Sequence, residues 1–310
     1  MKKVHFIIAS LLLLASCNPA KDVYLFTSFR EPAVDGLFFL TSTDGYHWTD
    51  LGGSFLKPAV GEKKLMRDPS MAQDPDGTWR LVWTSGWNGD KGFGYASSKD
   101  LIHWSEQQFI PVMQQEPEAF NVWAPEIFYQ KDSSQFIIVW ATTIPFRFPK
   151  GLEDEKNNHR LYCTTTRDFK TFSPTRLFYD PGFSSIDATI VQRGPKDFVL
   201  VFKDNTRLQR NIKVAFASSA AGPWHDDSKA FTPEFTEGPT VAKVKDHYLI
   251  YFDSYRAKKY GAVKTSDFKT FTDASDEVSV PIGHKHGTII MTDKRTIKRL
   301  QNEHRSQNLP

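Results

Sequence analysis

The sequence predicts an all-β protein built as a five-bladed β-propeller. Its 310 residues include 8 Trp, 25 Phe and 10 Tyr together with 18 Gly and 18 Pro, a composition typical of strands and turns. A motif of small or hydroxyl-bearing residues, usually with an Asp, ends in an aromatic residue five times, at Trp48, Trp104, Phe172, Trp224 and Phe271. These aromatics are 56, 68, 52 and 47 residues apart, which is the spacing of propeller blades with insertions.

Short apolar runs before four of these motifs predict the strands of each blade. They are rich in β-branched and aromatic residues, and turn residues such as Asp76-Gly77 and Lys245-Asp246 precede them. Each repeat is therefore predicted to be a four-stranded antiparallel sheet. The runs are 79–84, 136–140, 198–202 and 248–252.

The two ends of the chain are predicted to complete one blade together. The first repeat lacks an inner strand before 24–26, and 286–290 resembles an inner strand without a blade. Pairing them closes the ring and removes an open sheet edge. Because no linker interrupts the chain, residues 23–310 are predicted to form one domain, with a polar, frayed tail after Asn302.

The N-terminal segment predicts a lipoprotein signal peptide over residues 1–16. Lys2 and Lys3 precede an apolar run that ends at Cys17, and this run is too short to span a bilayer. A buried helix is the alternative. We expect Cys17 to carry a lipid, residues 17–22 to form an anchor or linker, and the protein to lie in the cell envelope, held at the membrane through the lipid alone.

The charge balance gives no reason to expect a nucleic-acid partner. The formal net charge of +3 falls to +1 without residues 1–16, because Lys2 and Lys3 are then removed.

Only Cys163 remains beside Cys17, so no internal disulfide is available, and no Cys/His spacing predicts a zinc site. We expect a monomer.

The predicted inner strands carry the candidate chemistry. Each contains one ionisable side chain at nearly the same place, so four carboxyls and an imidazole should converge at one end of the channel. Like charges and burial raise carboxyl pKa values, which keeps at least one proton available near neutrality. A protonated acid beside an ionised carboxylate is what glycoside cleavage requires. The five residues are Asp68, Glu126, Asp187, Glu237 and His286.

At these motifs the chain resembles glycoside hydrolase family 43, the five-bladed propellers that act on arabinosides, xylosides and related sugars. The resemblance implies an inverting mechanism in which Asp68 of Arg-Asp-Pro-Ser is the general base and Glu237 of Thr-Glu-Gly-Pro is the general acid. Asp187 of Ser-Ile-Asp-Ala would tune and orient that acid. Glu126 stands where the family usually has Asp, which puts the finer subfamily in doubt.

The resemblance also raises the question of a metal. His286 of His-Gly-Thr matches a channel histidine that lies near a bound calcium in several family members. No cofactor is required for the expected chemistry, and one histidine does not make a calcium site, because calcium prefers oxygen ligands.

Several side chains are candidates for binding the carbohydrate substrate. Trp87, Phe93 and Trp123 could stack on a sugar face, with ordinary blade packing as the alternative. Arg207 could reach sugar hydroxyls from a loop, although a solvated arginine is the more common situation. Glu126 and His286 are placed at the pocket by their inner strands.

Several functions remain open at this stage. The expected activity is cleavage of arabinofuranosidic or xylosidic bonds, with β-galactofuranosidase or another exo-glycosidase of the same fold as an alternative. The related invertase group starts with Asn-Asp-Pro-Asn-Gly, which is absent here, so retention is less expected than inversion. A non-catalytic surface lipoprotein that captures glycans is a different class. The loop 144–158 is expected to rim the pocket.

Overall fold

The computed structural model describes residues 22–307. The predicted signal peptide, Cys17 and all of the predicted 17–22 linker except Asp22 lie outside the described residues. Within the described part, no helix is both long and apolar enough to cross a membrane.

The described chain forms five antiparallel sheets, which confirms the five-bladed β-propeller. Every blade runs from an inner strand at the channel to an outer strand at the rim. In chain order the strands are β1 (Val23–Ser28), β2 (Phe38–Ser42), β3 (Thr49–Asp50), β4 (Arg67–Gln73), β5 (Trp79–Thr84), β6 (Phe93–Ser98), β7 (Gln108–Ile110), β8 (Trp123–Gln130), β9 (Gln135–Thr143), β10 (His159–Thr166), β11 (Arg176–Tyr179), β12 (Ser185–Gly194), β13 (Asp197–Asp204), β14 (Asn211–Ala217), β15 (Thr236–Val244), β16 (His247–Ser254), β17 (Lys259–Thr265), β18 (Thr272–Asp273) and β19 (Ile289–Thr292). Two 3-10 turns occur at Lys131–Ser133 and Glu155–Asn157.

Four of the blades have the four strands that the repeat predicts. They are β19-β1-β2-β3, β4-β5-β6-β7, β8-β9-β10-β11 and β15-β16-β17-β18. The prediction is wrong for the remaining blade, β12-β13-β14, which has three. There the chain forms an isolated bridge between Phe216 and His225 at the outer edge, and Ser228 and Phe231 donate further backbone hydrogen bonds to β14.

The ring closes by pairing the two ends of the described chain, as predicted. β1 runs antiparallel to β19, with Val23 opposite Thr292 and Phe26 opposite Ile289. The first blade therefore takes its inner strand from the end of the chain. Closure leaves no unpaired inner edge between the first and last blades.

The hydrophobic core lies between neighbouring blades. Phe26 and Tyr251, from adjacent blades, both contact the edge of the Trp48 ring at centroid distances of 5.3 and 5.9 Å. Trp48 and Trp224 are buried, and Trp104 packs against the core of its blade. The repeated aromatic residues are therefore structural, as the periodicity indicates.

One helix follows the last strand, and the sequence prediction missed it. α1 (Lys294–Gln307) begins after Asp293, whose carboxylate accepts hydrogen bonds from the N–H groups of Arg295 and Thr296. Ile297 and Leu300 are buried in the same hydrophobic cluster as blade residues. The frayed tail predicted after Asn302 is thus wrong, since the helix continues to Gln307.

We expect Leu300→Ala to destabilise the fold by about 2–5 kcal/mol, because Leu300 is completely buried and its removal leaves a cavity. The free energy of unfolding can be measured by urea denaturation. Gln301→Ala changes the exposed neighbour and should stay within about 0.5 kcal/mol of wild type. Equal stabilities of the two variants would mean that α1 does not pack on the blades.

Candidate active site

Four inner strands carry a β-bulge near their first residues. The pairing register of β4, β8, β12 and β15 with the next strand shifts after Arg67, Trp123, Ile186 and Glu237, respectively. In each bulge one residue has a left-handed backbone, with φ of 50° at Asp68, 45° at Ala124, 53° at Asp187 and 57° at Gly238. Bulges of this kind re-aim side chains and often occur at functional sites.

The bulges divide the channel-lining residues into two layers. The upper layer contains Asp68 and Asp187 at the bulges, Glu237 directly before the bulge glycine, and His286. The lower layer consists of the residues two positions after the left-handed residue of each bulge, namely Ser70, Glu126, Thr189 and Thr240, together with Thr288, two positions after His286. The predicted equivalence of all five ionisable residues is therefore wrong, because Glu126 belongs to the lower layer.

Asp68 is held by two hydrogen-bonding partners. His286 Nε2 lies 2.8 Å from Asp68 Oδ1, and the Thr84 hydroxyl donates to Oδ2 at 2.7 Å. Burial alone would raise the pKa of Asp68, but the charge and hydrogen bond of His286 outweigh it and lower the pKa below its usual range. Asp68 is thus an ionised carboxylate.

Glu237 is paired with a lysine that the sequence analysis did not identify. Lys203 on β13 is 2% exposed, and its Nζ lies 2.9 Å from Glu237 Oε2. Burial raises the pKa of Glu237, but the charge and hydrogen bond of Lys203 together with the charge of His286 outweigh it and lower the pKa overall. The only sequence signal for this pair is that Lys203 directly follows the apolar run 198–202. A lysine at that place indicates a charged partner, because few lysines are buried without one.

Asp187 is the carboxyl without a salt bridge in the upper layer. Its Oδ2 accepts a hydrogen bond from the Gly238 N–H at 3.0 Å. Burial and the neighbouring carboxylates raise the pKa of Asp187 against the opposing charges of His286 and Lys203. Of the three carboxyls, Asp187 therefore holds a proton most readily.

His286 is the second cation of this group. Burial would lower the pKa of His286, but Asp68, Asp187 and Glu237 together raise the pKa to about 9. Its ring packs against the bulge at Gly238, where an added Cβ would lie 2.0 Å from His286 Cγ. The glycine of Thr-Glu-Gly-Pro is therefore required for the imidazole to reach Asp68.

Glu126 lies in the lower layer, surrounded by hydroxyl groups from three other blades. Ser70 and Thr288 donate to Oε2 at 2.6 and 3.0 Å, and Thr189 donates to Oε1 at 2.7 Å. Burial raises the pKa of Glu126, and these hydrogen bonds offset the shift only in part. Glu126 thus joins the blades at the channel axis, where both of its oxygens are already occupied.

The space on the channel axis is small. A cavity of about 20 Å³ is lined by Asp68, Asp187, Gly238, His286 and Glu126, which is room for one water molecule. A wider cavity of about 450 Å³ lies at the far end of the inner strands, and Glu126 also lines it. The Glu126 side chain therefore separates the upper layer from the opposite face.

Two of the predicted stacking residues form an aromatic group beside the carboxyls. Trp87 is 49% exposed, and its ring meets the edge of Trp123 at a centroid distance of 5.5 Å. Trp123 donates from Nε1 to the Trp87 carbonyl and stacks on His159 at 4.8 Å. Burial lowers the pKa of His159 to about 3, so the imidazole that stacks on Trp123 is uncharged.

The other two candidates lie elsewhere. Phe93 is completely buried and packs against Trp140, so the prediction that it stacks on a sugar is wrong. Arg207 is on the surface, and its guanidinium contacts Asp154 Oδ2 at 2.9 Å. Its backbone N–H donates to Glu153 Oε1 at 2.7 Å, which ties the 144–158 loop to the loop after β13.

The side chains around His286 do not fit a calcium ion. Glu237, Asp253 and His286 have potential ligand atoms within 4.8 Å of one another. Lys203 and Lys285, however, contact the two carboxylates at 2.9 and 2.8 Å. Calcium takes about six to eight oxygen ligands, and two ammonium groups stand where further ligands would be needed.

Comparison with known families identifies the type of domain. A family model described as a probable glycosyl hydrolase domain, related to glycoside hydrolase family 43, matches residues 20–296. This confirms the resemblance found in the sequence. No curated protein sequence matches the chain.

Solved structures share the fold. A Bifidobacterium bifidum s17 protein assigned as an exo-β-1,3-galactanase is 14% identical, with a TM-score of 0.62, over 86% of this chain and 92% of the other. An α-L-arabinofuranosidase from Lactobacillus brevis is 15% identical, with a TM-score of 0.53, over 68% and 72%. The β-xylosidase RS223 is 11% identical, with a TM-score of 0.51, over 67% and 77%. At these identities the likeness shows the propeller fold.

We expect Gly238→Ala to displace His286 and to destabilise the protein strongly, because its Cβ would overlap the imidazole. Gly77→Ala is a matched control, since Gly77 also has a positive φ but has nothing within 4 Å of an added Cβ. Both variants carry the left-handed strain of about 1–2 kcal/mol. Thermal denaturation should show a larger loss for Gly238→Ala, and equal losses would contradict the assigned contact.

We expect His286 to be protonated at pH 7 and to titrate at about pH 9. Because this pKa is raised above the unfolded value of 6.5, the stability it contributes is complete below pH 6.5 and is lost as the pH rises through about 9. Imidazole nitrogen NMR shifts measure the titration. Asp68→Asn should lower the pKa of His286, whereas Asp44→Asn at the surface His47 pair should not. Titration of wild-type His286 near 6.5 would refute the charge assignment.

Proposed function

Because the chain belongs to this family of glycosyl hydrolase domains over residues 20–296, we propose that it is a glycosidase acting through Asp68, Asp187 and Glu237. The observation that carries the proposal is the upper layer itself. Asp68, Asp187 and His286 line one small cavity. Glu237, directly before the lining residue Gly238, is paired with Lys203. The pKa of Asp68 is lowered and that of Asp187 is raised, which supports the combination of an ionised base and a protonated acid that glycoside hydrolysis requires.

In the proposed mechanism, Asp68 is the general base. Its carboxylate, oriented by Thr84 and His286, takes a proton from a water molecule as that water attacks the anomeric carbon. Glu237 donates a proton to the leaving oxygen as the glycosidic bond breaks. The attacking water and the leaving group lie on opposite faces of the sugar, so the anomeric configuration inverts.

Asp187 supplies the proton in this proposal. In the free site Lys203 lowers the pKa of Glu237 against the effect of burial, whereas burial raises the pKa of Asp187, so Asp187 holds a proton more readily than Glu237. Before cleavage the proton passes from Asp187 to Glu237, which leaves Asp187 as a carboxylate. The new negative charge then raises the pKa of Glu237 by like-charge repulsion, which is the tuning function expected of Asp187.

The proposed substrates are arabinofuranosides or xylosides of plant-type polysaccharides and oligosaccharides. Trp87 offers an exposed ring at the edge of the site on which a sugar face could stack. A galactoside or galactan is the second candidate, because the similarity to the Bifidobacterium protein extends over 86% of this chain. β-Galactofuranosides are a further alternative.

The setting of the enzyme is part of the same proposal. A lipid on Cys17 would hold a monomer in the cell envelope, on the outer membrane facing the periplasm or the cell surface. β1 starts at the end of its blade opposite the carboxyls, since Val23 pairs with Thr292 and Ser28 is nearer the site. The anchor would therefore leave the face opposite the active site.

We expect Glu237→Gln to lower kcat/KM about 10²- to 10⁴-fold on alkyl glycosides or oligosaccharides, whose leaving groups need protonation. Hydrolysis of the matching dinitrophenyl glycoside should be largely retained, because that leaving group departs without a proton. Asp68→Asn should impair the hydrolysis of both substrates.

A panel of arabinosides, xylosides, galactosides and galactofuranosides identifies the sugar that the wild-type protein releases. Proton NMR of the first product should show inversion of the anomeric configuration.

Glu234→Gln, at an exposed glutamate nearby, is the matched control and should behave as wild type. Equal losses of Glu237→Gln on both leaving groups would reject Glu237 as the acid. A wild-type protein that binds glycans but hydrolyses none of the panel would reject catalysis and favour a surface glycan-binding protein.

A further inference from the structure

A second cleft opens beside the upper layer, between the last blade and the closing first blade. It has a volume of about 470 Å³ and is lined by Glu31, Asp253, Tyr255, Lys258, Lys259, Tyr260 and residues 280–285. Its position next to the carboxyls follows from two neighbours in the sequence and in the sheet. Lys285 precedes His286 in sequence, and Asp253 lies directly opposite Glu237 in the β15–β16 ladder.

The inner wall of the cleft is in contact with the candidate active site. Asp253 has a side chain only 3% exposed and accepts a hydrogen bond from Lys285 Nζ at 2.8 Å. Its carboxylate lies within 4.8 Å of atoms of both Glu237 and His286. A molecule bound in the cleft would therefore lie one residue away from the groups proposed to cleave the glycosidic bond.

Two polar groups in the wall of the cleft lack hydrogen-bond partners. Within residues 22–303, the buried hydroxyls of Tyr255 and Tyr260 have no hydrogen-bond partner. Such buried polar groups are normally satisfied by protein, water or a ligand. Ile282 also lines the cleft and is 90% exposed, so the cleft combines apolar surface with polar groups, as small-molecule sites do.

The charges at the cleft favour an anion. Three lysines line it against two carboxylates. Glu31 is already neutralised by Arg67, whose Nη1 lies 2.6 Å from Glu31 Oε1, and Asp253 is paired with Lys285. The exposed Lys258 and Lys259 therefore add positive charge that the acids of the lining do not compensate.

We propose that this cleft is a subsite for an acidic sugar unit, one that carries a carboxylate or a sulfate ester and is linked to the sugar whose bond is cleaved. The proposal deepens the proposed function, since it names the substrate class that the same site accepts. Lys258 and Lys259 attract the anionic group, and Tyr255 and Tyr260 form the wall beside the sugar.

Binding measurements test the cleft separately from catalysis. The probes are a xylo-oligosaccharide with one uronic acid, the same oligosaccharide with that carboxyl reduced to the alcohol, and a sulfated analogue. Calorimetric titrations use Glu237→Gln to prevent turnover. We expect the acidic probes to bind about tenfold more tightly than the reduced one, with the difference shrinking at high salt. The tighter acidic probe identifies carboxylate or sulfate as the preferred anion.

The lysines decide the outcome. The double variant Lys258→Gln, Lys259→Gln should abolish the preference for acidic probes, whereas Lys131→Gln, Lys196→Gln, at exposed lysines in turns of the opposite face, should keep it. Equal binding of acidic and reduced probes, or an unchanged preference in the first double variant, would overturn the proposal. If the acidic probes bind more tightly than the reduced probe but the protein hydrolyses no glycoside, the result would support the subsite and reject only the proposed catalytic activity.

Discussion

The burial of three carboxyls around one narrow axis is the constraint on which the site depends. Asp68, Asp187 and Glu237 cannot all be ionised there without compensation, because buried like charges repel and lose hydration. Lys203 and His286 supply that compensation at 2.9 and 2.8 Å. The pKa values of Asp68 and Glu237 are lowered and burial raises that of Asp187, so the site combines two carboxyls that favour the ionised form with one that favours the protonated form.

The bulges make this arrangement sterically accessible. A regular strand would alternate its side chains between the two faces of the blade, whereas the left-handed residues at Asp68 and Asp187 turn their carboxyls into the same layer. At the fourth bulge Gly238 takes the left-handed position, and its missing side chain leaves room for His286. The backbone of β15 thus leaves the space in which His286 pairs with Asp68 of β4.

The lower layer holds the blades together beneath the site. Glu126 accepts hydrogen bonds from Ser70, Thr189 and Thr288, which lie on three other inner strands. A Glu at this place therefore links four of the five blades across the axis. The upper layer rests on this network, and the surrounding loops can vary without changing the positions of its carboxyls.

The sequence by itself determined the five blades, the closure of the ring and the identity of the carboxyls, because the repeat spacing and short motifs are local signals. Only the tertiary structure decided the layers. The bulge residue of β8 is Ala124, which takes the position that Asp68 has in β4, so Glu126 lies in the lower layer beside Ser70. Lys203 reaches Glu237 from a neighbouring blade, Phe93 is enclosed by packing, and α1 forms because Ile297 and Leu300 find an apolar surface. These contacts join residues distant in the chain, which no local pattern records.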